Sequence, residues 1–262
     1  MQPTIPPGSL LLICPLQGTP RVGEVVPFGA VLTLPATGSE MNDGAVISRR
    51  ATQEKQVLHS EKLFPRFSIL DPDTTLSLSA RQTANGIVDT FVHVMEQYCT
   101  TDLHTPLQDR QAEAVLATLV ELAPTLRDDP DNRDARASMM WCATHGLNRN
   151  LACGVDQDWA THLIGHELTA LYGIDHARTL AIVLAALLRH QRATKRVKLL
   201  QYGARIWGLT EGDEEHRIDA AIDATARFFA AVGMPASLRE AIGGDDPDRR
   251  FTEIPRRFTQ RD

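Results

Sequence analysis

ARQTANGIVDTFVHVMEQYCT, residues 80–100, repeats apolar side chains at steps of three and four from end to end. That is the period of a buried-face helix, not of a strand. The same period continues through PLQDRQAEAVLATLVELAPTLRDD (106–129), DARASMMWCATHGLNRNLACG (134–154) and QDWATHLIGHELTALYG (157–173). It is renewed in ARTLAIVLAALLRHQ (177–191), KRVKLLQYGARIWG (195–208) and HRIDAAIDATARFFAAVG (216–233). About seven helices are predicted, with Pro124 near the end of the second and Gly173 stopping the fourth.

Upstream of Ser79 the pattern changes. VVPFGAVLTLPATGSE (25–40) sets an apolar, β-branched run before a Pro/Gly/Thr/Ser loop, predicting a strand that feeds a binding-type turn. GAVISRR (44–50) and FSILDP (67–72) predict two further short strands, the second stopped at Asp71-Pro72. Residues 1–24, rich in Pro and Gly, read as an irregular lead-in. A mainly α chain is expected, with a small strand-and-loop region over residues 1–75 and a helical domain over 76–262. Three strands are too few for a complete doubly wound sheet.

Composition narrows the function classes. With 43% hydrophobic and 23% charged residues in 262, the chain has the make-up of a soluble globular protein. Its net charge is -6 with no long basic run, which argues against a nucleic-acid surface. The locally basic stretch RHQRATKRVK (189–198) reads as a solvated helix face. Leu10–Cys14 is apolar but short, closed by Pro15 and preceded by no Lys or Arg, so a signal peptide is rejected. TLAIVLAALL (179–188) is too short to span a bilayer, and no membrane partner is expected. Cys14, Cys99, Cys142 and Cys153 form no CxxC pair, which points to reduced thiols and a cytoplasmic location.

Chemistry enters with the histidines. Asp89 and His93 are four residues apart, a rotation of about 400°, so both side chains leave one helix face. Such a pair is either an ordinary helical hydrogen bond or ion pair, or half of a metal site. His162 and His166 repeat the spacing in the fourth helix, and His176 follows just past its stop. Imidazole and carboxylate together suit Zn or Fe(II), and three or four protein ligands with an open position suit catalysis. His166-Glu167 lacks the second histidine of HExxH, so a zinc-protease reading fails. His59, His104, His145, His190 and His216 are isolated and read as surface or satisfied residues.

Four motifs then fall into one order: TLPATGSEMNDGAVIS (33–48), ILDP (69–72), ANGIVDTFVHVMEQY (84–98) and WATHLIGHELTALYGIDHARTLAIVL (159–184). In these the chain resembles the iron-containing alcohol dehydrogenases, nearest their NADPH-dependent aldehyde reductase and butanol dehydrogenase branch. The resemblance implies a dehydroquinate synthase-like fold. Residues 76–262 would be its helical metal-binding domain, and 1–75 part of an α/β nucleotide-binding domain. It implies a divalent metal, Fe2+ or Zn2+, on Asp89, His93, His162 and His176, with His166 as a catalytic proton relay. It further implies that Thr33, Thr37, Ser39, Asn42 and Lys55 contact NADP(H), that a short-chain aldehyde or alcohol is the substrate, and that the protein forms a homo-oligomer.

The chain departs from the family at several points. The GGGS turn that holds the cofactor diphosphate at a helix N-terminus is nowhere in the sequence. Ser79-Ala80 stands where a Pro-Pro pair is common, Ala185 where a Pro usually follows, and GGDDPDRRFTEIPRRFTQRD (243–262) replaces the usual last helices. A truncated or mis-started reading frame is therefore expected, able to bind metal but holding NADP(H) weakly or not at all, with both an active and an inactive chain left open. The competing readings are a non-catalytic metal-binding helical module, or half of a split enzyme, and a metal-dependent hydrolase or lyase. The last gives the TLPATGSE loop and Lys55 no role.

Overall fold

The computed structural model describes residues 28–259. The expected lead-in over 1–24 and Cys14 lie outside that range. Its strands are β1 (Ala30–Val31), β2 (Gly44–Arg49), β3 (Glu54–His59) and β4 (Ser68–Ile69). β1 pairs in parallel with β4, Ala30 opposite Ser68, and β2 pairs antiparallel with β3, Val46 opposite Val57. Three of these fall where sequence placed them; β3 was not expected. Its sequence, EKQVLH, sets its two apolar residues side by side instead of alternating, and its partner lies across the turn. Both strands of this hairpin leave large apolar side chains exposed, Val46 and Ile47 on one and Val57 and Leu58 on the other.

Among the described residues the helices follow without further strands. α1 (Ala80–Tyr98) is capped by Ser79, whose hydroxyl accepts from Gln82 N, and is buried from Thr83 to Tyr98. A helix buried on all sides is the centre of its domain. Around it pack α2 (Pro106–Asp128), α3 (Arg133–Leu147), α4 (Ala160–Tyr172), α5 (His176–His190), α6 (Arg196–Ile206) and α7 (Glu214–Ala231). Two short helices, α8 (Leu238–Ile242) and α9 (Ile254–Thr259), come after the seven that periodicity predicted. Gly173 ends α4 in the left-handed conformation at φ 69°, as expected of a helix stop. His176, expected just past that stop, opens α5.

The core is aromatic at its middle, where the buried Phe91 ring of α1 meets Phe228 and Phe229 of α7 at centroid distances of 5.3 and 5.4 Å. The basic stretch 189–198 corrects its expected role. It is a half-solvated seam: its arginines stay partly exposed in ion pairs, while its two lysines turn inward. Arg192 reaches Glu215 at 2.7 Å and Asp219 at 3.0 Å, Arg196 reaches Glu214 at 2.5 Å, and Arg189 pairs with Asp223. Lys195 and Lys198 are buried, the second clamped between the two carboxylate oxygens of Asp109 at 2.7 and 2.8 Å. Asp109 for Lys198, and Asp158 with the Cys99 carbonyl for Lys195, all distant in sequence, turned these two cations inward.

Cys99, Cys142 and Cys153 are free thiols. Among the described residues no helix is long and apolar enough to cross a membrane.

Candidate metal centre

The TLPATGSE loop leaves β1 and lies directly on α1. Gly86 allows this: a Cβ there would stand 2.3 Å from the Pro35 carbonyl oxygen. One turn on, the Thr90 hydroxyl donates to Ala36 O at 3.3 Å. Asn42 pins the loop from below, its amide donating to Thr37 O (2.9 Å) and Leu147 O (3.0 Å) while its oxygen accepts from Gly44 N (3.0 Å). Glu40 is buried as well and accepts from the Thr144 hydroxyl at 2.5 Å; burial raises its pKa. The loop is thus fastened to α1 and α3, with Thr33 half-buried and Thr37 and Ser39 exposed. Of the five residues expected to meet the cofactor, Asn42 has its amide wholly engaged by the backbone.

Asp89 lies on α1 next to Thr90 and is 3% exposed. His162 from α4 and His176 from α5 converge on it: His162 Nε2 is 3.8 Å and His176 Nε2 is 3.6 Å from Asp89 Oδ1. One ligand atom from each of Asp89, His162 and His176 falls within 4.8 Å of the others. His93 does not join that set. Its ring stacks on His162 at a centroid distance of 4.4 Å, and its Nδ1 is 3.8 Å from Asp89 Oδ2. Sequence joined four residues; the structure gathers three and sets the fourth against them.

Whether a cation fits is answered by the polar atoms. Asp89 Oδ1, His93 Nδ1, His162 Nε2 and His176 Nδ1 are buried with no hydrogen-bond partner in the protein. Buried polar atoms are nearly always partnered, so Asp89 Oδ1, His93 Nδ1 and His162 Nε2 left unpartnered beside one another fit a shared cation, which His176 would meet through Nε2. The donor set, one carboxylate and imidazoles, suits a first-row divalent metal.

Electrostatics tie the cluster together. Burial would raise the Asp89 pKa, but His93, His162 and His176 outweigh it and hold the carboxyl well below its usual range. His93 is pushed down to about 4 by burial, against the attraction of Asp89. His162 moves the other way, up to about 9, because Asp89 and Glu96 overcome burial. His176 is lowered mainly by burial.

His166 stands one helical turn beyond His162, 4.8 Å from the His176 ring and 6.3 Å from the His162 ring. Burial first, then Lys55 and His162, push its pKa down to about 3, which keeps the imidazole neutral. Lys55 on β3 is the cation facing this group. Burial lowers it to about 8 while Asp89 pulls the other way.

Sequence reasoning missed two residues. Glu96, on α1 and 4% exposed, touches His162 Nδ1 through Oε2. Its signal was present: Asp89, His93 and Glu96 follow at four and three residues, one face of one helix. Arg257 of α9 pairs with the buried Glu167 beside His166 and donates to Gln53 O at the β2–β3 turn. Nothing local in FTEIPRRFT announces that contact.

A model of the Fe-containing alcohol dehydrogenase family, C-terminal part, matches residues 83–246. The chain belongs to the iron-containing alcohol dehydrogenase family. A second model of that family, iron-containing alcohol dehydrogenase, matches residues 11–72. Over 223 residues the chain is 54% identical to the NADPH-dependent aldehyde reductase YqhD of Escherichia coli K12, covering 85% of this chain and 58% of that protein. It is 40% identical to a probable NADH-dependent butanol dehydrogenase 1 of Bacillus subtilis, covering 83% and 57%. The fold agrees with the crystal structure of the NADH-dependent butanol dehydrogenase A of Thermotoga maritima. There the TM-score is 0.83 at 34% identity, covering 90% of this chain and 59% of that one. The chain therefore spans less than two thirds of the length of these relatives. The mainly helical architecture with few strands described above matches that structure over the shared part.

Proposed function

We propose that this member of the family carries the metal-bearing, substrate-facing part of an NAD(P)H-dependent aldehyde reductase acting on short-chain aldehydes and alcohols. The observation that carries the reading is the convergence of one ligand atom each from Asp89, His162 and His176, with Asp89 Oδ1 and His162 Nε2 buried and unpartnered, beside a neutral His166. Asp89, His162 and His176 would hold the ion, with His93 as the fourth ligand; Fe2+ and Zn2+ both suit this set. Such an ion supplies Lewis acidity to a carbonyl or alkoxide oxygen. A nicotinamide cofactor supplies or accepts the hydride.

The remaining work belongs to the chain's own side chains. A neutral imidazole at His166 is able to accept the alcohol proton and return it. Lys55, cationic and half-buried, adds to the burial that keeps His166 neutral and offers a positive charge toward an anionic cofactor. Thr33, Thr37 and Ser39 on the clamped loop would face that cofactor, with Asn42 keeping the loop in place. Because the sequence has no GGGS turn, this 262-residue chain by itself is expected to hold NADPH weakly.

The test is aldehyde-dependent oxidation of NADPH by metal-loaded protein, with a parallel NADPH fluorescence titration. We expect a rate with butanal that chelation abolishes, and cofactor affinity weaker than micromolar. Metal binding with no oxidation at any NADPH concentration would leave the non-catalytic metal-binding module as the better reading.

A further inference from the structure

We propose that Glu96 is a positioning residue of the metal centre, which fixes the proton of His162 on Nδ1 and thereby leaves Nε2 free to ligate. The proposal rests on the metal-centre reading above and adds a residue to it.

α4 begins awkwardly. Its N-cap is Trp159, which makes no side-chain cap bond; Asp158 Oδ1 accepts from Ala160 N at 3.1 Å, but the next two amides need an acceptor from elsewhere. Glu96 supplies it from α1. Its Oε1 accepts from Thr161 N at 2.5 Å and from His162 N at 3.4 Å. Its Oε2 lies against Nδ1 of the same His162. The backbone of Glu96 joins in, its carbonyl accepting from Asp158 N at 2.8 Å. One buried side chain therefore caps the helix and holds the imidazole that projects from the helix's first turn.

The consequence follows from donor and acceptor arithmetic. With Oε1 committed to amide donors, Oε2 is the atom facing His162, and a carboxylate oxygen accepts. The ring atom opposite it must then donate, which puts a proton on Nδ1. A ligating imidazole carries one ring proton, and with that proton held on Nδ1 it is Nε2 that gives up its own to a metal and offers the lone pair. Nε2 is the atom aimed at Asp89 Oδ1 across 3.8 Å and lacking a hydrogen-bond partner. A ligating histidine fixed through its other nitrogen by a carboxylate is a recurrent arrangement in metal sites.

Glu96→Gln discriminates this from mere helix capping. A carboxamide has one acceptor atom and one donor group, while the site demands acceptors on both sides. If the oxygen stays with the α4 amides, the NH2 faces Nδ1 and favours the tautomer with Nε2–H, which cannot ligate. If the amide flips, its NH2 meets the backbone donors. Glu96→Ala removes both functions. Asn132→Ala serves as the control, since it deletes the cap that Ala135 N donates to on α3, away from the centre.

Co2+ titration of the four proteins, followed by absorption, and 15N NMR of Zn2+-loaded wild type make the test. We expect Glu96→Gln to weaken Co2+ binding about 10–100-fold, with an altered spectrum, while Asn132→Ala binds as wild type does. NMR should place the His162 proton on Nδ1. Glu96→Gln binding within about twofold of wild type with an unchanged spectrum would overturn the proposal, as would ligation through Nδ1. Should wild type itself bind no Co2+, the metal-centre reading fails and Glu96 with it.

Discussion

The Nε2 atom of His162 stands 3.8 Å from Oδ1 of Asp89, and neither atom has a hydrogen-bond partner. The two residues come from different helices and are held there by unrelated means. Asp89 is fixed by the interior of α1, and His162 by the start of α4.

Stability of the metal-free protein should depend on pH with two opposite signs. Burial pulls His93 down to about 4 from an ordinary 6.5, so the unfolded chain takes that proton first as pH falls. Stability is therefore lost on the acid side, between 6.5 and 4. His162 is raised to about 9 by Asp89 and Glu96 despite its burial. The stability it contributes is complete below 6.5 and lost as pH rises toward 9. Urea midpoints measured across this range should pass through a maximum, and His93→Gln should make the acid arm shallower without abolishing it, because burial lowers His166 and His176 as well. An unchanged acid arm in that variant would contradict the assignment.

Gly86→Ala should loosen the loop. The added methyl would meet the Pro35 carbonyl oxygen at 2.3 Å, and backbone cannot step aside as a flexible side chain does. We expect a loss of about 1–3 kcal/mol in urea unfolding and weaker NADPH binding, with metal content unchanged. Full stability in this variant would mean that the loop does not rest on α1.

Lys198→Met should be costly, because it leaves the Asp109 carboxylate buried without its cation. Breaking one side of a buried pair costs about 3–5 kcal/mol. The double variant Lys198→Met/Asp109→Leu should recover most of that loss. Equal destabilisation of single and double variants would place the cost in packing, not in charge.

These cases also mark how far the sequence could be read. The helical period of residues 80–100 and the i,i+4 pairs at Asp89/His93 and His162/His166 are local, and local patterns are legible. The seam over 189–198 was not, because the inward turn of Lys195 and Lys198 depends on Cys99, Asp158 and Asp109, which are remote in sequence. β3 escaped for a similar reason: its pairing with β2 is set by the turn, and its own residues do not alternate. Glu96 could have been found by its spacing, but only its contact with His162 gives it a task. The stacking of His93 on His162 depends on the approach of α1 and α4, which periodicity cannot supply.

His166→Gln separates proton transfer from metal binding. Its ring is 4.8 Å from that of His176 and outside the set of converging ligand atoms. We expect unchanged metal content and a fall in aldehyde-dependent NADPH oxidation of at least about 100-fold. Loss of metal in this variant would make His166 a ligand instead of a proton carrier.

The most direct test is elemental analysis of the purified protein beside Asp89→Ala and His176→Ala. One divalent metal per chain in wild type, and none in either variant, is the expected result. Wild type without stoichiometric metal, or variants that retain it, would contradict the convergence of Asp89, His162 and His176 on a single ion.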